Sequence, residues 1–424
     1  MLPETRSKHG YPADFFEANE LIRKITGMWL PTKHHSIITK TFYFSYVFCL
    51  YGFGFYFLVC EIIIVNDVST EISKLVSYIG MLFTHLVGCL KFSILVFGRT
   101  KLQKIMNILQ DSRYFYEPNE NFSPGLFLVE GKKTSAQFSM LVLIMYSCVG
   151  ASAHISSLVT FDRIIEGDSL EGTNFTCQDF MQYYFKIPFE TNTKERCKLA
   201  FFFMDFGLLV FALVIACYDG VLVTILNCLK CQILVVCNVF KTLRSRCLSQ
   251  LGLPVWYETF SDHEHVALER EMYRQLSHTT RHLQALLSVT NDIEFMFTFV
   301  TLAQTLASLL IFASCLYVAS SVSMTSPEFF AQMEYFSCVL VQFLLICWYG
   351  NEITTSGELI RSSLYESDWY SSSMRFKNSM IITMMRMQRP LYLSIGKFSP
   401  LTLVTFVGVC RGSFSYFALF KSVQ

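Results

Sequence analysis

Charged residues are scarce in this chain of 424 residues. Asp, Glu, Lys and Arg together make up 16% of the sequence, whereas a soluble domain usually contains about 25%. Apolar residues make up 52% and the mean hydropathy is +0.40, which indicates that lipid surrounds much of the fold. The formal net charge is only +1, so the composition gives no reason to expect a nucleic-acid partner.

Motifs that carry catalysis or hold a cofactor are also missing. The sequence has no nucleophile elbow, HExxH motif, P-loop or glycine-rich dinucleotide turn, so we expect neither an enzyme nor a bound cofactor. Most of the 15 cysteines lie in apolar runs, where a thiol behaves as a small hydrophobic side chain. The pair Cys228 and Cys231 has no second pair nearby, so it does not predict a metal site.

Domain-dividing linkers and internal repeats are absent as well, and we expect one domain over residues 1–424. The lack of an inverted repeat argues against a transporter. The first 40 residues contain no compact apolar segment of the signal-peptide kind, so the first hydrophobic run should act as an uncleaved anchor.

Seven runs are long and apolar enough to cross a bilayer, which takes about 20 residues per helix. They cover roughly residues 41–65, 75–98, 137–160, 199–218, 293–320, 332–350 and 400–420. The sequence therefore predicts an all-α membrane protein with seven transmembrane helices. An eighth run, 220–240, has Asn227, Lys230 and Gln232 at its centre. These residues make insertion costly, so we expect it to continue the fourth helix into the cytosol with its polar stripe in water.

The positive charge of the connections alternates along the chain. Six or seven Lys and Arg residues occur in each of the segments 1–40, 99–136, 219–292 and 351–399. The segment 66–74 has one, 321–331 has none, and the five in 161–198 are outweighed by seven acidic residues. Because cytoplasmic loops are the positive ones, we expect a cytoplasmic N-terminus and an extracellular C-terminus. The alternative, a G-protein-coupled seven-helix chemoreceptor, has the opposite orientation.

Two connections carry sites for modification. Asn174 begins an Asn-Phe-Thr sequon in an expected outer loop, so we expect it to be glycosylated. Asn121 begins a sequon in an expected inner loop, with Pro124 after it, and should stay bare. Cys177 and Cys197 share the outer loop. The sequence does not decide between a disulfide and two free thiols at this pair.

Ionisable side chains inside membrane spans are rare and are functional candidates by default. The candidates here are His85, Lys91, His154, Asp205, Glu334 and Arg411. A position near a helix end, where the group reaches water, readily explains Lys91, His154 and Glu334. It explains Asp205 and Arg411 less well.

The last span predicts a second kind of site. Ser415, Leu419 and Ser422 recur at helical spacing and share one face. Hydroxyls interrupted by one leucine are typical of a pore with a hydrophobic constriction, although an ordinary packed helix has the same spacing.

Aromatic residues gather in the outer halves of several spans, where they could converge on an apolar pocket for a small molecule. The candidate pocket residues are Tyr78, Phe83, His85, Tyr146, Gly150, Phe203, Met204, Tyr335 and Phe336. For any one of them, packing in the core or against lipid explains the position equally well.

The C-terminal third resembles a known family. It contains, in order, Cys347, Gly350, Asn351, Glu352, Tyr365, Trp369, Arg389, Pro390, Gly396, Phe398, Ser415, Tyr416 and Phe417. This order is similar to the pattern of insect odorant receptors. The segment Gly27-Met-Trp29-Leu-Pro31 looks like the family's entry to the first span, with one extra residue.

The resemblance implies a ligand-gated, non-selective cation channel, assembled as a tetramer with a shared co-receptor. The chain lacks the co-receptor's long loop insertion and so looks like a tuning subunit, one that binds an odorant or pheromone. The family's location would be the plasma membrane of olfactory neuron dendrites.

The resemblance also divides the chain. It implies a cytoplasmic segment 1–40, six helices with an outer ligand pocket in 41–350, an anchor region in 351–399 and a pore-lining helix in 400–424. By position in that helix, Leu419 matches the family's hydrophobic gate and Ser422 the outer mouth. Arg411 departs from the family's commoner lysine or small polar residue.

Overall fold

A computed structural model describes residues 10–29, 36–69, 71–119, 122–166, 177, 181, 183–259 and 261–422. This part of the chain is a bundle of α-helices with one short β-hairpin. In chain order the elements are α1 (Glu17–Ile25), α2 (Ile37–Val68), α3 (Ile72–Phe97), α4 (Arg99–Leu109), α5 (Pro124–Glu166), α6 (Lys194–Lys241), α7 (Leu243–Gln250), α8 (Val266–Ser321), α9 (Pro327–Tyr365), α10 (Met374–Arg386), β1 (Ser394–Ile395), β2 (Ser399–Pro400) and α11 (Leu403–Ser422).

Seven helices of the described part are long and apolar enough to span a membrane: α2, α3, α5, α6, α8, α9 and α11. The predicted fold class is therefore confirmed, and the protein is a multi-pass membrane protein. We call "outer" the end of the bundle where α2 joins α3, α5 joins α6 and α8 joins α9. That name follows the orientation predicted from the loop charges.

Several helices run well past the length of a bilayer. Helix α6 has 48 residues and α8 has 56. At 1.5 Å per residue these helices are about 72 and 84 Å long, against a hydrocarbon core of about 30 Å. Residues 220–240 continue the fourth spanning helix, as the sequence predicts.

Two of the three polar residues of that continuation, Asn227 and Gln232, are buried, and the expectation that they meet water was wrong. Lys230 is 24% exposed and pairs with Glu352 at 2.7 Å. The amide of Asn227 donates to the Gly131 carbonyl at 3.0 Å and to the Ser135 hydroxyl at 2.8 Å. The amide of Gln232 donates to the Leu109 carbonyl at 2.7 Å. The neighbouring helices α4 and α5 thus offer acceptors that take the place of water.

Helix α6 lies at the centre of the bundle. All of its side chains from Val214 to Leu229 are buried, and it packs most extensively on α5 and α9. Gly207 allows α2 to come close, because a Cβ there would lie 2.3 Å from ring carbons of Phe57. The last helix, α11, packs mainly against α8, and most of it is exposed in the single chain.

The N-terminal segment and the hairpin both pack at the inner end of the bundle. Phe15 donates its backbone N–H to the Gln110 side chain at 2.7 Å, which ties the start of the chain to the end of α4. The hairpin turn has left-handed φ values at Gly396 and Lys397, of 57° and 64°. The backbone N–H of Gly396 donates to the Thr298 carbonyl at 3.2 Å and joins the hairpin to α8.

Candidate functional site

A buried carboxylate, Glu61 of α2, is the centre of a polar cluster in the outer half of the bundle. Its side chain has no solvent exposure. Nδ1 of His85, on α3, lies 2.8 and 2.9 Å from the two carboxylate oxygens. The Tyr183 hydroxyl donates to one of those oxygens at 2.7 Å, and the Tyr78 hydroxyl donates to the Glu61 backbone carbonyl at 2.6 Å.

Aromatic rings enclose this cluster. The His85 ring lies 4.3 Å from the Phe211 ring and 5.8 Å from the Phe57 ring, centroid to centroid. Phe57 also stacks on Phe185 at 4.5 Å. Such an apolar surrounding strengthens each hydrogen bond of the cluster, because few polar groups compete for its donors and acceptors.

Tyr183 and Phe185 belong to the outer connection between α5 and α6, and both are buried. A disulfide between Cys177 and Cys197 ties this connection to the start of α6. Burial, together with the Glu61 carboxylate, raises the pKa of the Tyr183 hydroxyl well above its ordinary value. Tyr183 therefore keeps its proton and remains a donor to Glu61 at physiological pH.

A second group of predicted pocket residues lies between α3, α5, α8 and α9. The Tyr335 hydroxyl lies 2.6 Å from the Thr84 hydroxyl and donates to the Gly80 carbonyl at 3.3 Å. Phe336 contacts Phe312 edge-on, with ring centroids 5.4 Å apart. Tyr146 is buried in the same hydrophobic core, on which Phe83 also packs.

The structure thus divides the predicted pocket residues between two clusters. Tyr78, Phe203 and Met204 pack with Phe57 and Phe211 near Glu61, whereas Tyr146, Phe83, Tyr335 and Phe336 pack in the central core. Met81 packs against both clusters, so they adjoin along α3. Gly150 faces open space, since a Cβ there would meet nothing within 4 Å.

A buried ion pair joins α3 to α6 below these clusters. Lys91 Nζ lies 2.8 and 3.1 Å from the two oxygens of Asp219, and both side chains are at most 2% exposed. Gln342 of α9 donates to the same carboxylate. Lys91 therefore does not reach water at a helix end, because a partner within the bundle neutralises it.

The other ionisable candidates have different surroundings. His154 of α5 lies against Asp205 of α6, with its Nδ1 beside a carboxylate oxygen and about a quarter of each side chain exposed. Glu334 is partly buried on α9. Arg411 is exposed on α11.

A continuous stripe of five residues runs along the exposed side of α11. Gly408, Arg411, Ser415, Leu419 and Ser422 are all exposed in the single chain and follow one another at intervals of three or four residues. The opposite face, with Val409 and Ser413, is buried. The stripe therefore points away from the protein's own bundle.

Three ionisable side chains of these sites are not among the residues predicted from the sequence: Glu61, Asp219 and Tyr183. Glu61 lies within the first apolar run, so a search for acidic residues inside spans would have found it. Asp219 follows the fourth predicted span, 199–218, directly, so a search inside the spans does not reach it. No pattern in the sequence distinguishes Tyr183, which depends on how the outer connection folds.

Some predicted features fall outside the described residues, namely Asn121, Asn174 and Pro31. Cys228 and Cys231 are free, buried thiols. Within the described part no three His, Cys, Asp or Glu side chains are grouped as a metal site requires.

These features define a seven-helix membrane protein with polar groups buried between its outer helix halves. The fold is similar to that of the insect olfactory receptor OR5 from Machilis hrabei in complex with eugenol. The TM-score is 0.77 over 97% of this chain and 98% of that one, at 12% sequence identity. The family model for the 7tm odorant receptor matches residues 71–414. The chain therefore belongs to the insect odorant receptor family, as its C-terminal residues indicated.

Curated relatives agree with this family. Odorant receptor 2a of Drosophila melanogaster is 27% identical over 157 residues, 36% of this chain and 39% of that protein. Putative odorant receptor 92a of the same species is 28% identical over 138 residues, 32% of this chain and 33% of that protein. The matched segments thus span less than half the length of these relatives. The family and its solved structures are receptors, not enzymes.

Proposed function

We propose that this protein is the ligand-tuning subunit of an odorant-gated, non-selective cation channel. A small hydrophobic odorant or pheromone would bind in the outer half of the helix bundle and favour the open state. The ligand shifts gating only if it binds the open state more tightly than the closed one.

The exposed stripe on α11 carries the channel part of this proposal. Lipid is a poor partner for Arg411 and for the hydroxyls of Ser415 and Ser422, because polar groups in hydrocarbon are costly. The same residues are well placed if copies of this helix, from several subunits, surround an aqueous path. Leu419 would then narrow that path with an apolar ring that closes it by excluding water.

The two aromatic clusters support the ligand part. They lie next to each other along α3, and apolar walls with a few polar groups are usual for small-molecule sites. His85 and Tyr335 are the polar side chains that could orient a ligand there. Since most of the walls are apolar, the shape and size of the ligand should dominate selectivity.

The partner and the location follow the family. We expect assembly with the shared odorant co-receptor as a hetero-oligomer, most simply a tetramer, in the plasma membrane of olfactory neuron dendrites. The loop charges support a cytoplasmic N-terminus, and residues 351–399 would form the anchor where subunits meet.

Voltage clamp tests the proposal directly. Cells would express this chain with and without an odorant co-receptor, receive a broad panel of volatiles, and contain a G-protein blocker. We expect a fast inward cation current that requires the co-receptor and survives the blocker. A response that persists without the co-receptor and vanishes with the blocker would instead place the protein in the metabotropic class.

A pair of variants on α11 tests the pore. Leu419→Ser should hydrate the constriction and raise the current measured without ligand, severalfold or more. Phe414→Ser is the matched control, because Phe414 is also exposed on α11 but lies off the stripe. Equal resting currents in the two variants would contradict a gate at Leu419.

A further inference from the structure

A series of hydrogen bonds crosses the middle of the bundle and joins four helices. It starts at the Lys91–Asp219 pair between α3 and α6. Gln342 of α9 donates to the Asp219 carboxylate, and Gln304 of α8 donates from Nε2 to Oε1 of Gln342 at 3.3 Å. All four side chains are buried, so these bonds form in surroundings of low polarity. We call these four residues the polar chain.

The buried carboxylate determines the direction of the two amides. Lys91 Nζ lies 2.8 and 3.1 Å from the two oxygens of Asp219, so the carboxylate is ionised and can only accept. Gln342 must therefore turn its NH2 group towards Asp219 and its oxygen towards Gln304. Gln304 in turn must present its NH2 group. Its own buried Oε1 has no hydrogen-bond partner within the described part of the chain.

The bond between Gln304 and Gln342 is the weakest of the polar chain. At 3.3 Å it is the longest of the three contacts between helices, and it lies beyond the usual N–H···O range of about 2.7–3.2 Å. Gln304 also keeps an unpaired acceptor in this arrangement, and a buried polar atom without a partner is costly. The polar chain should therefore separate first between α8 and α9.

This bond lies between the proposed odorant site and the last helix. Helix α8 runs outwards and α9 runs inwards. The contact of Phe312 with Phe336, whose ring centroids are 5.4 Å apart, is therefore on the outer side of the amide pair, by about 9–12 Å along the helix axes. Leu309 of α8 packs closely on α11, since a Cβ at Gly412 would lie 2.9 Å from Leu309 Cδ1. A molecule that separated the outer halves of α8 and α9 would stretch the amide bond and move α11.

We propose that the hydrogen bond between Gln304 and Gln342 stabilises the closed state of the channel and is broken in the open state. The odorant then opens the channel by separating α8 from α9 at this bond. A buried bond between neutral amides is worth about a two- to tenfold change in the equilibrium between the two states. This inference rests on the proposed function, because it describes how the same subunit is gated.

Removing the bond should make the channel easier to open both with and without ligand. The full chain is expressed with its co-receptor, and the unliganded current is divided by the current at a saturating dose of each active volatile. Gln304→Met keeps the length of the side chain without its amide. It should raise this fraction about two- to tenfold and lower the half-maximal concentration by up to the same factor. Gln304→Leu, which differs in shape, should do the same, so the result does not depend on the folding of one variant.

Thr301→Val is the matched control. Thr301 is one turn away on α8 and is also buried, but its hydroxyl donates to the Phe297 and Thr298 carbonyls of the same helix. The control should leave both quantities unchanged. A double-mutant cycle with Gln342→Met tests the bond itself. Gln304→Met should have little further effect once Gln342 has lost its amide.

The two measurements distinguish this gating role from others. A lower half-maximal concentration without a higher unliganded fraction would assign Gln304 to the ligand site. A change only in the amount at the surface, measured by biotinylation, would assign it to folding. Either result would overturn the inference and leave the proposed function standing, and so would an unchanged or reduced unliganded fraction or an equal effect of Thr301→Val. A receptor at the surface that answers no volatile of the panel would count against both.

Discussion

Two buried carboxylates, Glu61 and Asp219, are the centres of the hydrogen-bonded groups inside this apolar bundle. Each is paired with a basic group on α3, His85 or Lys91. A buried pair of this kind contributes little net stability, because desolvation offsets most of the attraction between the charges. Removing one partner lowers stability strongly, since it leaves a single buried charge.

We therefore predict that Lys91→Met destabilises the receptor strongly, by about 3–5 kcal/mol. The melting temperature of the purified protein and its amount at the cell surface would measure this effect. The double variant Lys91→Met, Asp219→Asn should recover much of the loss, because the charge is gone and the amide oxygen can still accept from Gln342.

The matched control is Lys74→Met in the same helix. Lys74 is paired with Glu71 at 2.8 Å, but its side chain is 37% exposed, so we expect a change within about 1 kcal/mol. If Lys91→Met unfolded no earlier than this control, the buried pair would have no special role.

At this scale the sequence predicts which side chains are unusual but not what they contact. His85 and Lys91 stand out because ionisable residues are rare in spans. Their partners lie on other helices, Glu61 on α2 and Asp219 on α6. Which groups meet depends on the rotation of each helix about its axis, and the hydropathy pattern of these nearly uniformly apolar runs does not determine that rotation.

Close contacts between elements depend on particular glycines. A Cβ at Gly350 of α9 would lie 2.4 Å from the Leu401 carbonyl oxygen, which is backbone and cannot swing aside. We predict that Gly350→Ala costs about 1–3 kcal/mol and loosens the entry to α11. Thermal unfolding would show this.

Gly408→Ala is the control for that prediction, since a Cβ at Gly408 meets nothing within 4 Å in the single chain. It should leave the unfolding of the chain unchanged. If Gly350→Ala and Gly408→Ala unfolded at the same temperature, the close approach of Gly350 to Leu401 would not limit stability.

The disulfide of the outer connection makes a further prediction. Cys177 and Cys197 are 20 residues apart, and closing a loop of that length stabilises by about 3 kcal/mol in the chain-entropy model. Cys197→Ser should therefore lower the melting temperature and release the connection that inserts Tyr183 between the helices. Proteolysis of intact cells would detect the released segment.

Cys49→Ser provides the comparison, because Cys49 is a free, exposed thiol on α2. It should unfold like the wild type. The outer connection could resist proteolysis equally in Cys197→Ser and in Cys49→Ser. That result would show that the buried rings, rather than the disulfide, hold the connection in place.

The spanning helices themselves were well predicted, since a bilayer demands about 20 apolar residues in a row and leaves a clear pattern. The extension of the fourth spanning helix over 220–240 was predicted too, but the longer extension of α8 was not. Helix α8 begins at Val266, whereas the apolar run begins near residue 293. The inner part of α8 is covered by protein, including α4 and α7, so its sequence mixes polar and apolar residues in the manner of a soluble helix.

For the whole molecule, the orientation in the membrane is the prediction to test. An epitope at the N-terminus should be stained only after the cells are permeabilised, and one at the C-terminus should be stained on intact cells. The charge of the loops is the physical reason. Staining of the N-terminal epitope on intact cells would reverse the orientation and revive the G-protein-coupled alternative.

Glycosylation gives a second view of the same orientation. Asn174→Gln should remove a glycan and reduce the apparent mass on a gel, because the outer loop passes through the secretory lumen. Asn121→Gln, in the inner loop, should leave the mass unchanged. A mass change with Asn121→Gln alone would place that loop on the other side.

The length of α8 has a mechanical consequence. A continuous helix of 56 residues resists bending, so its two ends move together as one rigid body. A tilt of only a few degrees, made where a small molecule wedges between the outer halves, would displace the far end by several ångströms over a rod of about 84 Å. Because α11 packs along this helix, it would move with it. A modest rearrangement of aromatic rings would then change the width of the proposed aqueous path.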